Sequence, residues 1–406
     1  MTLLFSSLFT SSLFTNKGKK VSVLVLSFCL FFKIQANEAN IPESFKGDTP
    51  SSSYTIKYND IDLLFNSLVM ATGMSDRKKT KGDQAEMGSR LKININRLSA
   101  SEANRFYFEA LETDEQRAVI TNIRKNLEKL PDTAPLQYFH KSEQLAYWLN
   151  LYNITMIEQL IKLYPQKDLE DEFVGKDSIL DKKLLKVSGI ELSFNDIQHK
   201  ILMPKFDNDP LIIYGLYQGF IGGPNIRPEA YKGDSVFQSL KDNAYEFVNS
   251  NRGTYAERRN VFRVSSLYER NKNYFPNFEA DLVKHLHEYL IGEMHQSLDD
   301  STKIRTNINN WDITDIYGSL RKSGNSAMTS EAALLDAVVG NADNGGTMVS
   351  LNAISNMYAD IAQSSLSRFS PEQLAQIQAL SFKRAQNAGY VEVTDFDTPS
   401  RVEKNN

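Results

Sequence analysis

The stretch from 142 to 165, SEQLAYWLNLYNITMIEQLIKLYP, sets the tightest limit on the fold. Leu145, Trp148, Leu149, Leu151, Tyr152, Ile154, Met156, Ile157, Leu160 and Ile161 would decorate almost every side of a helix. A helix that is apolar nearly all round belongs inside a core, not on a surface. Ser142 is placed to cap its start, and Pro165 to stop it. Asn150 and Asn153 are three residues apart and share one face. A buried amide left without partners costs about 1–3 kcal/mol. The helix must therefore carry two polar groups into the core and find partners for both.

The chain is long enough for two or three domains, at 406 residues. Its 41% apolar and 24% charged residues are those of a globular protein. The net charge is −4 with no basic block, which argues against nucleic acid as a partner. At the N-terminus, Lys17, Lys19 and Lys20 precede VSVLVLSFCLFF and then KIQANEAN. That order is basic region, apolar region and cleavage region, so residues 1–36 are expected to be a signal peptide cut after Ala36. An uncleaved anchor is one alternative. Another is a lipoprotein signal ending at Cys29, although Phe28 sits where that signal wants a small residue. No later stretch is long and apolar enough for a second span, so the mature chain is expected to lack one. Residues 1–36 hold four lysines and no acid, so their removal takes the net charge to −8. They also hold Cys29, the single cysteine. A mature exported chain then has no disulfide, no thiolate zinc ligand and no thiol nucleophile.

Residues 37–57 read as a linker, polar and carrying Pro42, Pro50 and Ser51 to Ser53. Residues 58–75 suggest an amphipathic opening helix, and 76–88 a charged loop. SASEANRFYFEAL and DEQRAVITNIRKNLEKL suggest two further helices, the second closed by PDTAP. KLLKVSGIELS suggests two short strands turning at Ser188-Gly189. Ser193 followed by Asp196 marks the start of a short helix that carries His199. LIIYGLY, after Asp209-Pro210, is β-rich and apolar and is expected to be a buried strand. It runs into QGFIGGPNIRPEAY, whose glycines and prolines demand an irregular loop. Residues 234–250 read as a helix, NVFRVSS as a strand, and FEADLVKHLHEYLIGEM as one amphipathic helix. After a linker at 323–328, residues 329–392 suggest three capped helices, and 393–406 a polar tail.

Candidate sites follow from these placements. Asn150 and Asn153 could orient a ligand, or simply bond the neighbouring loop. Trp148 could be a ligand platform, or core. His199 could be a general base, since an imidazole titrates near working pH, or a hydrogen-bond partner of the glycine loop. The loop Gln218 to Arg227, with Gly222 and Gly223, could hold an anion on backbone N–H groups and Arg227. It is not a phosphate loop, because no Gly-Lys-Ser/Thr follows. On a continuous helix His285 and His287 point about 200° apart, so no metal site is assigned to them or to His295. No Gly-x-Ser-x-Gly elbow is present, and no cofactor is implied.

Four segments resemble the family known as domain of unknown function 547. LAYWLNLYN is similar to its Phe/Tyr-Trp-Ile/Leu-Asn-x-Tyr-Asn helix, and LSFNDIQHKILMP to its Leu-Ser-x-x-Asp-Ile-Glu-His-x-Ile-Leu-Arg segment. DPLIIYGLYQGFIGGPNIRPEAY is similar to a run containing Gly-x-x-Ser-Cys-Pro. SSLYERNKNYF and NNWDITD resemble the family's later motifs. The resemblance covers roughly 58–320 and implies a core domain over 58–322, with 329–392 outside it. A family cysteine after this run and a histidine elsewhere invite a cysteine-hydrolase reading. Carried over, the histidine falls on His199. The Ser-Cys pair falls on Gly222 and Gly223, and a further family cysteine on Gln218. The scaffold residues Trp148, Asn150, Asn153, Asp196 and Pro224 are retained, and the thiol is absent.

The expected fold is α+β: a helix-rich core around a buried central helix with a small sheet, plus a C-terminal helical appendage. The expected function is non-catalytic binding of a small molecule or an envelope protein, at the convergence of 145–153, His199 and 218–227. The alternative is a hydrolase or transferase that uses His199 without a cysteine.

Overall fold

The central helix organises the computed structural model, which describes residues 41–79, 96, 98–257, 260–316, 361 and 368–388. In chain order, α1 (Asn59–Leu68) leads into β1 (Val69–Met70), which pairs antiparallel with β2 (Arg105–Phe106). Helix α2 (Asp114–Thr133) then lies beside the central α3 (Lys141–Leu163). Every residue of α3 from Glu143 to Ile161 is buried, as an all-round apolar sequence requires. Its cap is His140, not Ser142: the ring Nδ1 accepts the Ser142 N–H at 3.2 Å.

A short helix α4 (Glu170–Phe173) precedes the β3–β4 hairpin (Leu185–Val187 and Ile190–Leu192). Ser188 and Gly189 both adopt positive φ at its turn, as expected from the sequence. Asp196–Leu202 forms a π-helical turn that runs on into α5 (Met203–Lys205). Beyond it come α6 (Val236–Val248), strands β5 (Thr254–Glu257) and β6 (Val261–Ser265), and α7 (Ser266–Arg270). Helices α8 (Phe278–His287) and α9 (Gly292–Asp299) precede β7 (Lys303–Ile308). Strand β6 is the centre of a three-stranded sheet, antiparallel to β5 and parallel to β7. The fold is α+β, helix-rich with sheets of two or three strands.

Further expectations are corrected. The opening helix expected over 58–75 stops at Leu68, where the chain turns into β1. LIIYGLY is not a strand. Pro210–Gly215 is a 3-10 helix, started by the Asp209 side chain accepting the Leu211 N–H at 2.9 Å. A β-carbon at Gly215 would sit 2.6 Å from Leu240 and 2.8 Å from Leu149, so this turn is pressed between α6 and α3. SASEANRFYFEAL is not a helix either: Ala103 takes φ +69°, and the chain bends into β2. The expected helix over 278–294 breaks at Leu290-Ile291 into α8 and α9. Last, residues 41–57 are no loose linker. Ile41, Phe45 and Ile56 are buried, and Phe45 stacks edge-on with Trp148 at 5.0 Å between centroids. The buried Lys205 ammonium donates to the carbonyls of Phe45 and Gly47 at 2.6 and 3.0 Å, which fixes the segment against the core.

Helix α10 (Pro371–Ala388) docks on the same segment. Arg368, just before it, pairs with Asp60 at 2.7 Å and donates to the Lys57 carbonyl at 3.0 Å, both side chains being buried. Phe369 stacks on Phe139. The first two expected C-terminal helices, the leader and the tail lie outside the described residues. No helix among the described residues is long and apolar enough to cross a membrane.

Candidate functional site

The two asparagines of α3 bond to backbone, each with both ends of its amide. Asn150 donates to the Tyr231 carbonyl at 2.8 Å and accepts the Tyr231 N–H at 2.9 Å. Asn153 donates to the Gly215 carbonyl at 3.0 Å and accepts the Tyr217 N–H at 3.0 Å. Each amide thus imitates a peptide group. Together they hold both ends of the 215–231 segment to the central helix, and this satisfies buried polar groups that would otherwise be costly. Trp148 is fully buried and edge-packed by Phe45 and Tyr147, which places it in the core.

Gln218 follows directly and is buried. Its Oε1 accepts from Arg270 Nη2 at 3.4 Å, and Arg270 also donates to Ser266 Oγ at 2.8 Å. The guanidinium lies 4.9 Å from the Trp311 ring centre and 5.5 Å from that of Phe220. Burial lowers the Arg270 pKa to about 10, so it remains a cation at neutral pH. Burial raises the pKa of the Tyr152 hydroxyl, with Gln218 and the Arg270 charge opposing it. On the other side of α7, Asn271 accepts from Gln198 Nε2 at 2.5 Å and donates to the Leu267 carbonyl at 2.8 Å.

His199 stands next to Gln198, half-buried, its ring 6.5 Å from that of Tyr274. Its Nδ1 has no hydrogen-bond partner among the described residues. Burial lowers its pKa below the ordinary histidine value, and Asp181 opposes the shift. Asp196 does not orient the ring. Its carboxylate is taken by Lys183, by Lys200 at 2.8 Å and by Ser193 N–H and Oγ, and these contacts hold it ionised against the cost of burial.

The glycine loop faces a different neighbourhood. Ile221, Gly222 and Gly223 donate their N–H groups to the carbonyls of Asp312, Asn310 and Phe220, so these amides are already engaged inside the fold. A β-carbon at Gly222 would lie 2.7 Å from the Asn310 nitrogen, which leaves no room there for a serine without a backbone shift. At Gly223 the nearest atom would be the Phe220 carbonyl oxygen at 3.2 Å. The Gly223 carbonyl faces Arg252 Nε at 3.4 Å. Arg252 is fully buried and forks onto Glu246 at 2.8 and 2.5 Å, with Asn225 at 3.0 Å. Arg227 is used as well. It donates to the Ser239 carbonyl at 3.2 Å and lies 5.9 Å from the Tyr231 ring centre.

The structure therefore joins α3 to both ends of the loop. It brings the 196–202 turn towards Gln218 through α7, and places Gly223 against Arg252 and Gly222 against Asn310. Arg270, Asn271 and Tyr274 belong to this arrangement and were not singled out from sequence, whereas Tyr152 is a retained residue of the LAYWLNLYN motif. The segment SSLYERNKNYF holds Arg270, Asn271 and Tyr274, but its mix of serine, charged and amide residues gives no local sign of which ones turn inward. Residues 310–315 close the layer, with Ile313, Thr314 and Leu169 N–H groups bonded to Lys167, Gly219 and Trp311 carbonyls.

Residues 136–248 match the model of the family described as "Protein of unknown function, DUF547". The DUF547 resemblance is therefore supported over this segment, about a quarter of the chain. The DUF547 match takes in α3, the His199 turn, the glycine loop and α6, and so includes the 215–231 segment that Asn150 and Asn153 hold to α3. Arg270 and the 310–315 segment fall outside it. No curated protein and no solved structure matches the chain significantly.

Two other clusters stand apart from this layer. Thr49, Ser51, Ser52, Tyr54, Lys383 and Arg384 line a groove of about 430 Å³ between residues 49–54 and α10. At the α8–α9 corner, His287, His295 and Asp299 bring one ligand atom each to within 4.8 Å of one another. From sequence no metal site is assigned here, since His285 and His287 point about 200° apart on a helix and His295 lies just past its expected end; His287 and His295 nonetheless meet. The break at Leu290-Ile291 folds them together.

Proposed function

We propose that the protein is an exported binding protein that turns over no substrate. The observation that carries this reading is the packing around Gln218. Position 218, onto which the motif resemblance carries a family cysteine, holds a buried amide engaged by Arg270, and its neighbours Tyr152, Gln198 and Asn271 are buried too. A catalytic site needs a nucleophile or activated water within hydrogen-bond reach of its base. Gln218 offers neither a thiol nor a hydroxyl. The basic flank and apolar run of residues 17–32 support export.

The groove beside α10 suits the ligand better. Its volume of about 430 Å³ is that of a small-molecule pocket. Serine hydroxyls, Lys383 and Arg384 favour a ligand that carries an anionic group. The competing reading, a hydrolase that uses His199 through water, draws on the unpartnered Nδ1 and the lowered pKa of that ring. One experiment separates the two. Purified wild type and His199→Ala are assayed against a panel of esters, thioesters and amides. Equal, background-level rates support binding. Wild-type turnover that vanishes in His199→Ala overturns it.

A further inference from the structure

We propose that His287, His295 and Asp299 form a binding site for one divalent transition-metal ion, zinc foremost. The donors come from two elements that meet at a fixed corner. Helix α8 ends on His287, and α9 begins at Gly292, which takes φ +56°. On α9, His295 and Asp299 are four residues apart and therefore share a face. The corner between them is anchored from below. Asn249 donates to the Tyr289 carbonyl at 2.8 Å and accepts the Ile291 N–H at 3.2 Å. One turn earlier, His285 is buried against the Tyr214 hydroxyl at 2.8 Å.

The three side chains touch pairwise through different ring nitrogens, and one donor atom from each lies within 4.8 Å of the others. His287 Nδ1 lies 3.0 Å from His295 Nε2. Asp299 oxygens lie 3.2 Å from His287 Nε2 and 3.5 Å from His295 Nδ1. Four-coordinate zinc, bonded at about 2.0–2.1 Å, sets its donors roughly 3.3–3.5 Å apart. Small ring rotations would aim one atom of each side chain at a common centre, with no backbone change. Two imidazoles and a carboxylate form a borderline donor set that prefers zinc, copper, nickel or iron to calcium or magnesium. All three side chains are partly exposed, so an ion can enter, and three protein ligands leave a coordination position for water. The bound ion would staple α8 to α9. This proposal is independent of the groove and of the reading given to Gln218.

The test is titration of the full, chelator-treated chain with Co²⁺ and then Zn²⁺, followed by visible absorption and by thermal melting. One equivalent of Co²⁺ is expected to give d–d bands that Zn²⁺ displaces, and Zn²⁺ is expected to raise Tm. His295→Ala and Asp299→Asn should each weaken binding more than about 100-fold, while His140→Ala should leave it unchanged. The proposal is overturned if wild type takes up less than one equivalent. It is equally overturned if the double variant His287→Ala/His295→Ala binds zinc as wild type does, since the cluster is then a set of histidine–carboxylate hydrogen bonds only.

Discussion

Replacing Asn153 by alanine should be among the most damaging single changes outside the apolar core. The side chain donates to the Gly215 carbonyl and accepts the Tyr217 N–H, both at 3.0 Å and both in buried surroundings. Alanine leaves two backbone groups unpaired with no water to replace the amide. Each such group costs about 1–3 kcal/mol, so the expected loss is about 2–6 kcal/mol, centred near 4. Asn153→Asp is a sharper probe. It keeps the acceptor for Tyr217 but sets a buried carboxylate against the Gly215 carbonyl, and it should be at least as destabilising. Gln238→Ala, an exposed change on α6, should cost under about 0.5 kcal/mol. Urea denaturation followed by tryptophan fluorescence measures all three. A loss below about 1 kcal/mol in Asn153→Ala would refute the argument, because the clamp would then carry no weight in the fold.

Three further outcomes follow from the same structure. Phe45→Ala opens a gap against Trp148 and should cost about 3–5 kcal/mol, where a true linker residue would cost nothing measurable by the same denaturation. Arg368→Ala leaves Asp60 as a buried unpaired charge, and a loss of about 3–5 kcal/mol is expected in thermal or urea melts. The third concerns pH. Burial lowers the His285 pKa to about 4, so the unfolded chain binds a proton that the folded one refuses between pH 6.5 and 4. The His285 contribution is therefore fully present above pH 6.5 and lost as pH falls through that window, by about 2 kcal/mol at pH 5. Denaturation midpoints of wild type and His285→Gln at pH 8 and 5 should converge on acidification. A constant difference would remove His285 as the cause.

The sequence made some of this legible and hid the rest for definable reasons. The central helix shows in its unbroken apolar character, and the β3–β4 turn in Ser188-Gly189, because both signals are local. The positions of Asn150 and Asn153 announce polar groups that need partners. Their partners, the backbone at 215, 217 and 231, lie more than sixty residues away and leave no local trace. LIIYGLY misleads because apolar β-branched residues suit any buried backbone, and the Asp209 cap with Pro210 selects the 3-10 turn instead. Residues 41–57 look like a linker by composition, yet a few apolar anchors and the buried Lys205 suffice to pin them. The corner between α8 and α9 is hidden by continuous helical periodicity, so a histidine pair that sequence separates by eight residues becomes a contact.

The most direct test of the central claim is alkylation of Gln218→Cys, with and without His199→Ala. The new thiol sits where the motif resemblance would place one of the family's cysteines. If this layer is closed scaffold, iodoacetamide should label it only at the slow rate of structural opening, with His199→Ala making no difference. Rapid labelling that His199→Ala abolishes would contradict the account, because it would reveal an accessible thiol–imidazole pair within the fold.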